Sequence, residues 1–126
     1  MRLLLDTHVL IWTLSAPKRL AAKTLRAIET EENDVLVSVV SPWELAIKGA
    51  QEGLSIPADL ETQLGRQNFE LLPVLLRHID PLESMPYHHR DPFDRMLVAQ
   101  AIADGLTIVT ADRKLRSYPV GLMPAI

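Results

Sequence analysis

At 126 residues, with 48% hydrophobic and 23% charged side chains, the chain has material for one hydrophobic core and no bias toward disorder. It contains no cysteine, which excludes a disulfide framework, a thiolate metal site and a cysteine nucleophile. Thirteen basic against sixteen acidic residues leave a formal charge of −3, so no molecule-wide positive field advertises nucleic acid, although an enzyme that gathers carboxylates around cations can be acidic and still bind phosphates.

In chain order, RLLL at residues 2–5 reads as a short strand ending at Asp6. The following VLIWTL reads as a helix that is apolar almost all round, so part of it is expected to meet another chain. Asp6 and His8 interrupt this apolar start and no small-residue cleavage pattern follows. Neither a signal peptide nor a membrane span is expected, and the cytoplasm is the expected compartment. After the turn SAP, KRLAAKTLRAIE predicts a helix with Ala21, Leu25 and Ile28 on its apolar face. DVLVSVV is continuous and β-branched, as suits a strand buried on both faces, and it feeds a helix SPWELAIKGAQEG with Ser41 as its cap and Gly53 beyond its end. PADLETQLGRQ predicts a short helix, FELLPV a strand, and LLRHIDPLESM a helix with an internal proline, Pro81. DPFDRMLVAQAIADG is a well-bounded helix, followed by the strand LTIVT, the turn ADRK and an extended stretch around YPVGLM. This alternation predicts an α/β fold with a mainly parallel sheet covered on both faces, one domain over residues 1–126.

In open parallel sheets, ligands bind outside the carboxyl ends of the strands. Asp6 directly follows the first strand, and Asp112 closely follows LTIVT. Glu44 within SPWE repeats the pattern of DPFD at residues 91–94: cap, proline, aromatic, then an acid at the third helical position. This puts Glu44 and Asp94 in equivalent places. Asp94 stands three and four residues before Leu97 and Val98, and Glu44 three before Ile47, so both acids are expected to point inward over an apolar face. Alone, each acid has an ordinary role, as a first-turn acid favoured by the helix dipole or as a turn or cap residue. Four acids from four segments on one rim repel one another unless they share protons or bind cations. An all-oxygen donor set suits Mg²⁺ or Mn²⁺. One such ion, or two at roughly 3.5–4 Å, activates water and stabilises charge on a phosphodiester, so hydrolysis of a nucleic-acid backbone is the expected chemistry.

The stretches LLLDTHVLIW, VSVVSPWELAIK, HRDPFDRMLVAQA and LTIVTAD, in this order and spacing, resemble the PIN-domain ribonucleases, specifically VapC-like toxins of type II toxin–antitoxin modules. The resemblance spans nearly the whole chain. It implies a three-layer α/β/α sandwich and an endoribonuclease dependent on Mg²⁺ or Mn²⁺, with one or two ions, often a homodimer and held inactive by a cognate antitoxin. Residue by residue it implies Asp6, Glu44, Asp94 and Asp112 as the catalytic, metal-binding acids. Asp91 matches the extra aspartate of the DPFD subgroup; the reading of the residues makes it the helix cap that aims Asp94, with metal ligation as the alternative.

Arg90, Arg95, Arg113, Lys114 and Arg116 flank the expected site and are candidates to hold RNA phosphates, against an ordinary charged surface. His88 and His89 are candidates for phosphate contact or proton transfer, against a solvated loop. Thr7 and Thr110 sit beside site acids and are placed to orient a ligand water, unless Thr7 caps the first helix. Trp12 and Trp43, in apolar helical runs, are expected in the core. Two other functions compete: a receiver-like phosphoacceptor signalling domain, which wants an acidic pair after the first strand where this chain has Asp6 alone, and a non-catalytic PIN-like RNA- or protein-binding module, whose sign would be a missing acid.

Overall fold

The structure, a computed structural model, describes residues 1–86 and 91–126. Its centre is a five-stranded sheet in the order β3-β2-β1-β4-β5, every neighbouring pair parallel. The strands are β1 (Arg2–Leu5), β2 (Asp34–Ser38), β3 (Glu70–Leu72), β4 (Thr107–Thr110) and β5 (Gly121–Pro124). The helices are α1 (Thr7–Ser15), α2 (Ala22–Glu29), α3 (Val40–Lys48), α4 (Leu60–Arg66), α5 (Leu76–Ser84) and α6 (Pro92–Asp104). Short 3₁₀ turns cover Pro17–Arg19, Gly49–Glu52 and Arg113–Ser117.

Side-chain alternation along the strands divides the apolar residues into two cores. Leu4, Leu36 and Ile108 face one side, against Val40 of α3 and Leu97, Val98 and Ala101 of α6. Leu3, Leu5, Val35, Val37 and Val109 face the other, against Val9 and Leu10 of α1, Ile28 of α2 and Leu64 of α4. Both faces are covered, which gives the expected three layers and explains why β2 reads as an unbroken apolar run. The register Leu5↔Val37 and Leu5↔Val109 aligns the carboxyl ends of the three central strands. The chain starts in the middle, adds β2 and β3 on one side, then crosses to β4 and β5 on the other. A crevice therefore opens between the ends of β1 and β4, where the connections diverge.

Several local expectations are corrected. α3 begins at Val40, so Ser41 lies inside the helix; the hydroxyl of Ser38 instead accepts the Val40 amide at 3.0 Å. Pro42 then falls in the first turn, where its missing amide proton leaves no hydrogen bond unmade. Glu44 is consequently the fifth helical residue, whereas Asp94 is the third of α6, so SPWE and DPFD are not equivalent. Ile47 is 65% exposed, so the stripe under Glu44 is Val40, Ser41 and Leu45 rather than Ile47. α1 is capped by Asp6 and not by Thr7. Trp43 is 53% exposed, packed edge-on against Phe93 at 5.1 Å, outside both cores. Gly53 ends its turn at φ +70°, a conformation glycine adopts without steric penalty.

Candidate active site

The crevice is a cleft of about 380 Å³ lined by Asp6, Glu44, Asp91, Asp94 and Asp112, with Thr7, His8, Trp12, Lys48, Glu52 and Ala111. All four acids expected on the rim, and Asp91, thus meet in one place. Each is delivered by a different local rule. Asp6 leaves the end of β1 and caps α1, its Oδ1 accepting the Val9 amide at 2.9 Å. Asp112 leaves the end of β4 and caps the following 3₁₀ turn, accepting the Lys114 amide at 2.9 Å. Thr110 couples the two: its hydroxyl donates to Asp6 Oδ2 and accepts the Asp112 amide at 3.0 Å. Asp91 caps α6 ahead of Pro92, its Oδ1 accepting from the amides of Phe93 at 2.8 Å and Asp94 at 3.4 Å. That cap fixes the first turn, and the turn directs Asp94 into the cleft above Leu97 and Val98.

Glu44 is buried and engaged at both oxygens. The Thr7 hydroxyl donates to Oε1 at 2.6 Å, with Ser41 Oγ 3.1 Å from the same hydroxyl, and Lys48 lies 3.0 Å from Oε2. Lys48 also donates to Asp91 Oδ2, bridging α3 and α6 across the cleft. Sequence reading missed Lys48; its spacing of four from Glu44 on one helix was the available signal.

The electrostatics follow from burial and crowding. Desolvation, followed by the charges of Asp91, Glu44, Asp6 and Asp112, pushes Asp94 up to about 7. Burial also raises Asp6, against the hydrogen bonds from Thr110 and the Val9 amide. At Asp91, burial raises the carboxyl but the bonds from Lys48 and the Phe93 amide outweigh it, and the carboxyl is lowered. Lys48 shows the complement: burial acts downward, and its bonds to Asp91 and Glu44 prevail and raise it.

The donor chemistry fits a hard divalent ion, because every acid in the cleft offers oxygen and their mutual repulsion is what a cation relieves. Among the described residues no three acidic or imidazole side chains stand close enough to enclose an ion as they are placed. The bonds from Thr7 and Lys48 to Glu44, and from Lys48 to Asp91, hold two of the acids to the protein itself.

The basic candidates separate. Arg113 and Arg116 line a hollow of about 260 Å³ that shares Ala111 and Asp112 with the cleft. Lys114 is exposed beside it. Arg95 points elsewhere, donating to the Pro86 carbonyl at 3.0 Å and the Tyr118 hydroxyl at 3.2 Å. His88, His89 and Arg90 lie outside the described residues. Trp12 lines the cleft with the Arg19 guanidinium 4.6 Å from its ring centroid, partly buried and packed against the core on the α1 side of the sheet.

The fold and the site now meet known proteins. The PIN domain family matches residues 3–121. Ribonuclease VapC22 of Mycobacterium tuberculosis is 33% identical over 118 residues, covering 91% of this chain and 90% of that protein. Among solved structures, VapBC2 of Rickettsia felis bound to a promoter DNA fragment superposes with a TM-score of 0.70 at 15% identity, over 98% of both chains. DNA-bound VapBC of Salmonella typhimurium gives 0.67 at 20% identity, over 98% of this chain and 97% of that one. A toxin–antitoxin complex of Klebsiella pneumoniae gives 0.65 at 16%, with the same coverage. These structural likenesses establish the fold, and the family match replaces the receiver-like alternative. With nearly its whole length matched, the chain belongs to the PIN-domain family.

Proposed function

We propose that this chain is a divalent-metal-dependent endoribonuclease, the toxin of a toxin–antitoxin pair, with Asp6, Glu44, Asp94 and Asp112 as its working acids. The observation that carries the reading is the convergence of these acids, from four separate elements, in one cleft at the carboxyl edge of the sheet. A fold stabilised for its own sake would not crowd carboxylates until one holds its proton to about 7. The relative that shares a third of its residues is a ribonuclease, and RNA is the phosphodiester assigned here.

Asp6, Glu44, Asp94 and Asp112 would hold the Mg²⁺ or Mn²⁺, with Asp91 beside them as the cap of α6. When bound, the ion supplies Lewis acidity, activating water and offsetting charge on the phosphate. The chain's own groups prepare the site. Thr110 holds Asp6 and the Asp112 backbone in one orientation, and Thr7 does the same for Glu44. Arg113 and Arg116, in the hollow adjoining Asp112, are placed to take phosphates of a single strand leaving the cleft, contributing salt-dependent affinity without base readout. Trp12 offers a ring on the lining of the cleft.

The partners follow the same reading: RNA as substrate, a cognate antitoxin and a second copy of this chain. Solved relatives are toxin–antitoxin assemblies, and α1 leaves Ile11, Trp12 and Leu14 half-exposed while α3 exposes Trp43 and Ile47. No helix among the described residues is long and apolar enough to cross a membrane, and the cytoplasm, where RNA is met, is the proposed compartment.

The test is cleavage of a total RNA pool by the purified chain with Mn²⁺ or Mg²⁺ against chelator, beside Asp94→Asn prepared identically. Metal-dependent cleavage that the variant lacks is expected. Absence of cleavage by folded, antitoxin-free protein would overturn the nuclease reading in favour of a silent binding module.

A further inference from the structure

Beyond the acids at the sheet edge, and Thr7 and Lys48 that bond to them, the cleft is lined by His8, Trp12, Ala111 and Glu52. His8 and Trp12 stand four apart on α1 and share one face of it, their ring centroids 6.1 Å apart. Asp6 caps the same helix, and the helix rise puts Trp12 about 9 Å along the axis from that cap, comparable with the reach of a nucleotide from its phosphate to its base. The indole is a fixed wall, packed against the core on the α1 side and held by the Arg19 guanidinium 4.6 Å from its ring centroid. Glu52 arrives from another segment, the turn Gly49–Glu52, and its Oε2 lies 4.0 Å from His8 Nε2. That separation is longer than a hydrogen bond, so carboxylate and imidazole stand side by side without saturating each other. Their side chains are 40% and 52% exposed, open to a ligand entering the cleft.

An aromatic wall beside a carboxylate and an imidazole is a base-reading arrangement. An ionised carboxylate only accepts, and an imidazole carries at least one N–H in either charge state. Among the RNA bases, guanine alone presents two neighbouring donors, N1–H and N2–H, beside an acceptor, O6. The other three each set an acceptor next to a donor, and a carboxylate repels that acceptor. We propose that Glu52, His8 and Trp12 form a base subsite that selects guanine in single-stranded RNA. The purine packs on the indole, its N1–H and N2–H donate to the Glu52 carboxylate, and the His8 imidazole donates to O6. The inference rests on RNA being the substrate, as proposed above, and names the base read beside the acids. Phosphate contacts at Arg113 and Arg116 hold a strand without distinguishing its bases, so selection falls to this side of the cleft.

The experiment measures, by fluorescence anisotropy, the binding of short oligouridylates carrying one internal guanine, inosine, adenine or cytosine, in chelator and again with Ca²⁺. Guanine should bind at least about fivefold tighter than adenine or cytosine. Inosine, which lacks the 2-amino group, should fall in between. Glu52→Gln exchanges an acceptor for a donor and should abolish the preference. Trp12→Ala should weaken all four oligonucleotides alike, by about tenfold, because stacking is indifferent to base identity; the wild-type series and Glu52→Gln stand even if Trp12→Ala does not fold. Equal binding of guanine and adenine, inosine matching guanine, a preference that survives Glu52→Gln, or unchanged binding by folded Trp12→Ala would each overturn the subsite and leave RNA as the substrate. A loss in Glu52→Gln that is uniform across the oligonucleotides and confined to Ca²⁺ would assign that carboxylate to the ion and overturn the subsite as well. A folded wild type that binds none of the oligonucleotides under either condition would overturn it together with the ribonuclease reading.

Discussion

Removing the charge of Asp94 should stabilise the metal-free protein while abolishing its activity. The carboxyl is pushed from 3.8 to about 7 by burial and by four neighbouring acids. Between these values the folded chain holds a proton that the unfolded chain has released, so stability declines as pH rises from about 4 to 7. Roughly three pKa units at 1.36 kcal/mol each set an upper limit of about 4 kcal/mol. The cleft is open to water and salt, and its acids titrate together, which reduces the expected effect to about 1–2 kcal/mol. Asparagine keeps the shape of aspartate and cannot ionise. Asp94→Asn should therefore melt about 3–10 °C above the wild type at pH 7.5 in chelator. The advantage should shrink at pH 5, where the wild-type carboxyl is already protonated. Millimolar Mn²⁺ should reverse the order, because binding stabilises only the chain that can hold the ion. Thermal unfolding at the two pH values, with and without Mn²⁺, checks all three statements. An asparagine variant no more stable than wild type at pH 7.5 in chelator, or an advantage that persists unchanged at pH 5, would refute the electrostatic account of the cleft.

Three further outcomes are expected. Asp91→Ala removes the cap of α6 and an anchor of Lys48, and should lower stability by about 1–2 kcal/mol in denaturant titration; an unchanged midpoint would mean the cap contributes nothing. Asp104 is held down at about 2, first by the Arg77 guanidinium at 2.8 and 3.1 Å and then by His78 at 3.0 Å. Its contribution is present above about pH 4 and is lost as pH falls toward 2. Because Arg77 is more than half exposed, the difference from Asp104→Asn should be about 1 kcal/mol at neutral pH and vanish in acid, as acid-unfolding curves would show. Gly49→Ala would place a Cβ 2.7 Å from the Leu54 carbonyl oxygen, and should cost about 1–3 kcal/mol in unfolding free energy; a neutral result would mean that the following loop yields freely.

The strand and helix alternation was readable because strands buried on both faces are apolar in continuous runs, as Val35, Leu36 and Val37 are in β2, all three buried. Asp6, Asp112 and Glu44 were readable because topology obliges strand ends and following helix starts to share one edge, and Asp94 joins them because α6, which follows α5, leads back into β4 and so starts at that edge. Phase was harder to read. SPWE and DPFD have the same residue pattern, yet Ser38 caps α3 from within β2 and sets Glu44 at the fifth helical position while Asp94 occupies the third. Both acids still reach the cleft, since α3 starts at the carboxyl end of β2 and α6, which runs back into β4, also starts at that edge. Trp43 illustrates the opposite limit: an apolar run on a helix does not state which of its residues faces the sheet, and this indole lies on the outer side beside Phe93.

By itself, then, the chain's order of apolar runs, caps and breakers determined the layers and the rim on which Asp6, Glu44, Asp94 and Asp112 gather, because these depend on local periodicity and on connection rules that act along the chain. Tertiary structure alone decided how the acids divide their roles. Lys48 and Asp91 are 43 residues apart and are brought together only when α3 and α6 close over the end of the sheet. Thr110 and Asp6 are 104 residues apart and become partners only when β4 pairs with β1. Electrostatic partnership depends on distance through space and on excluded water, and neither exists until the two cores have packed.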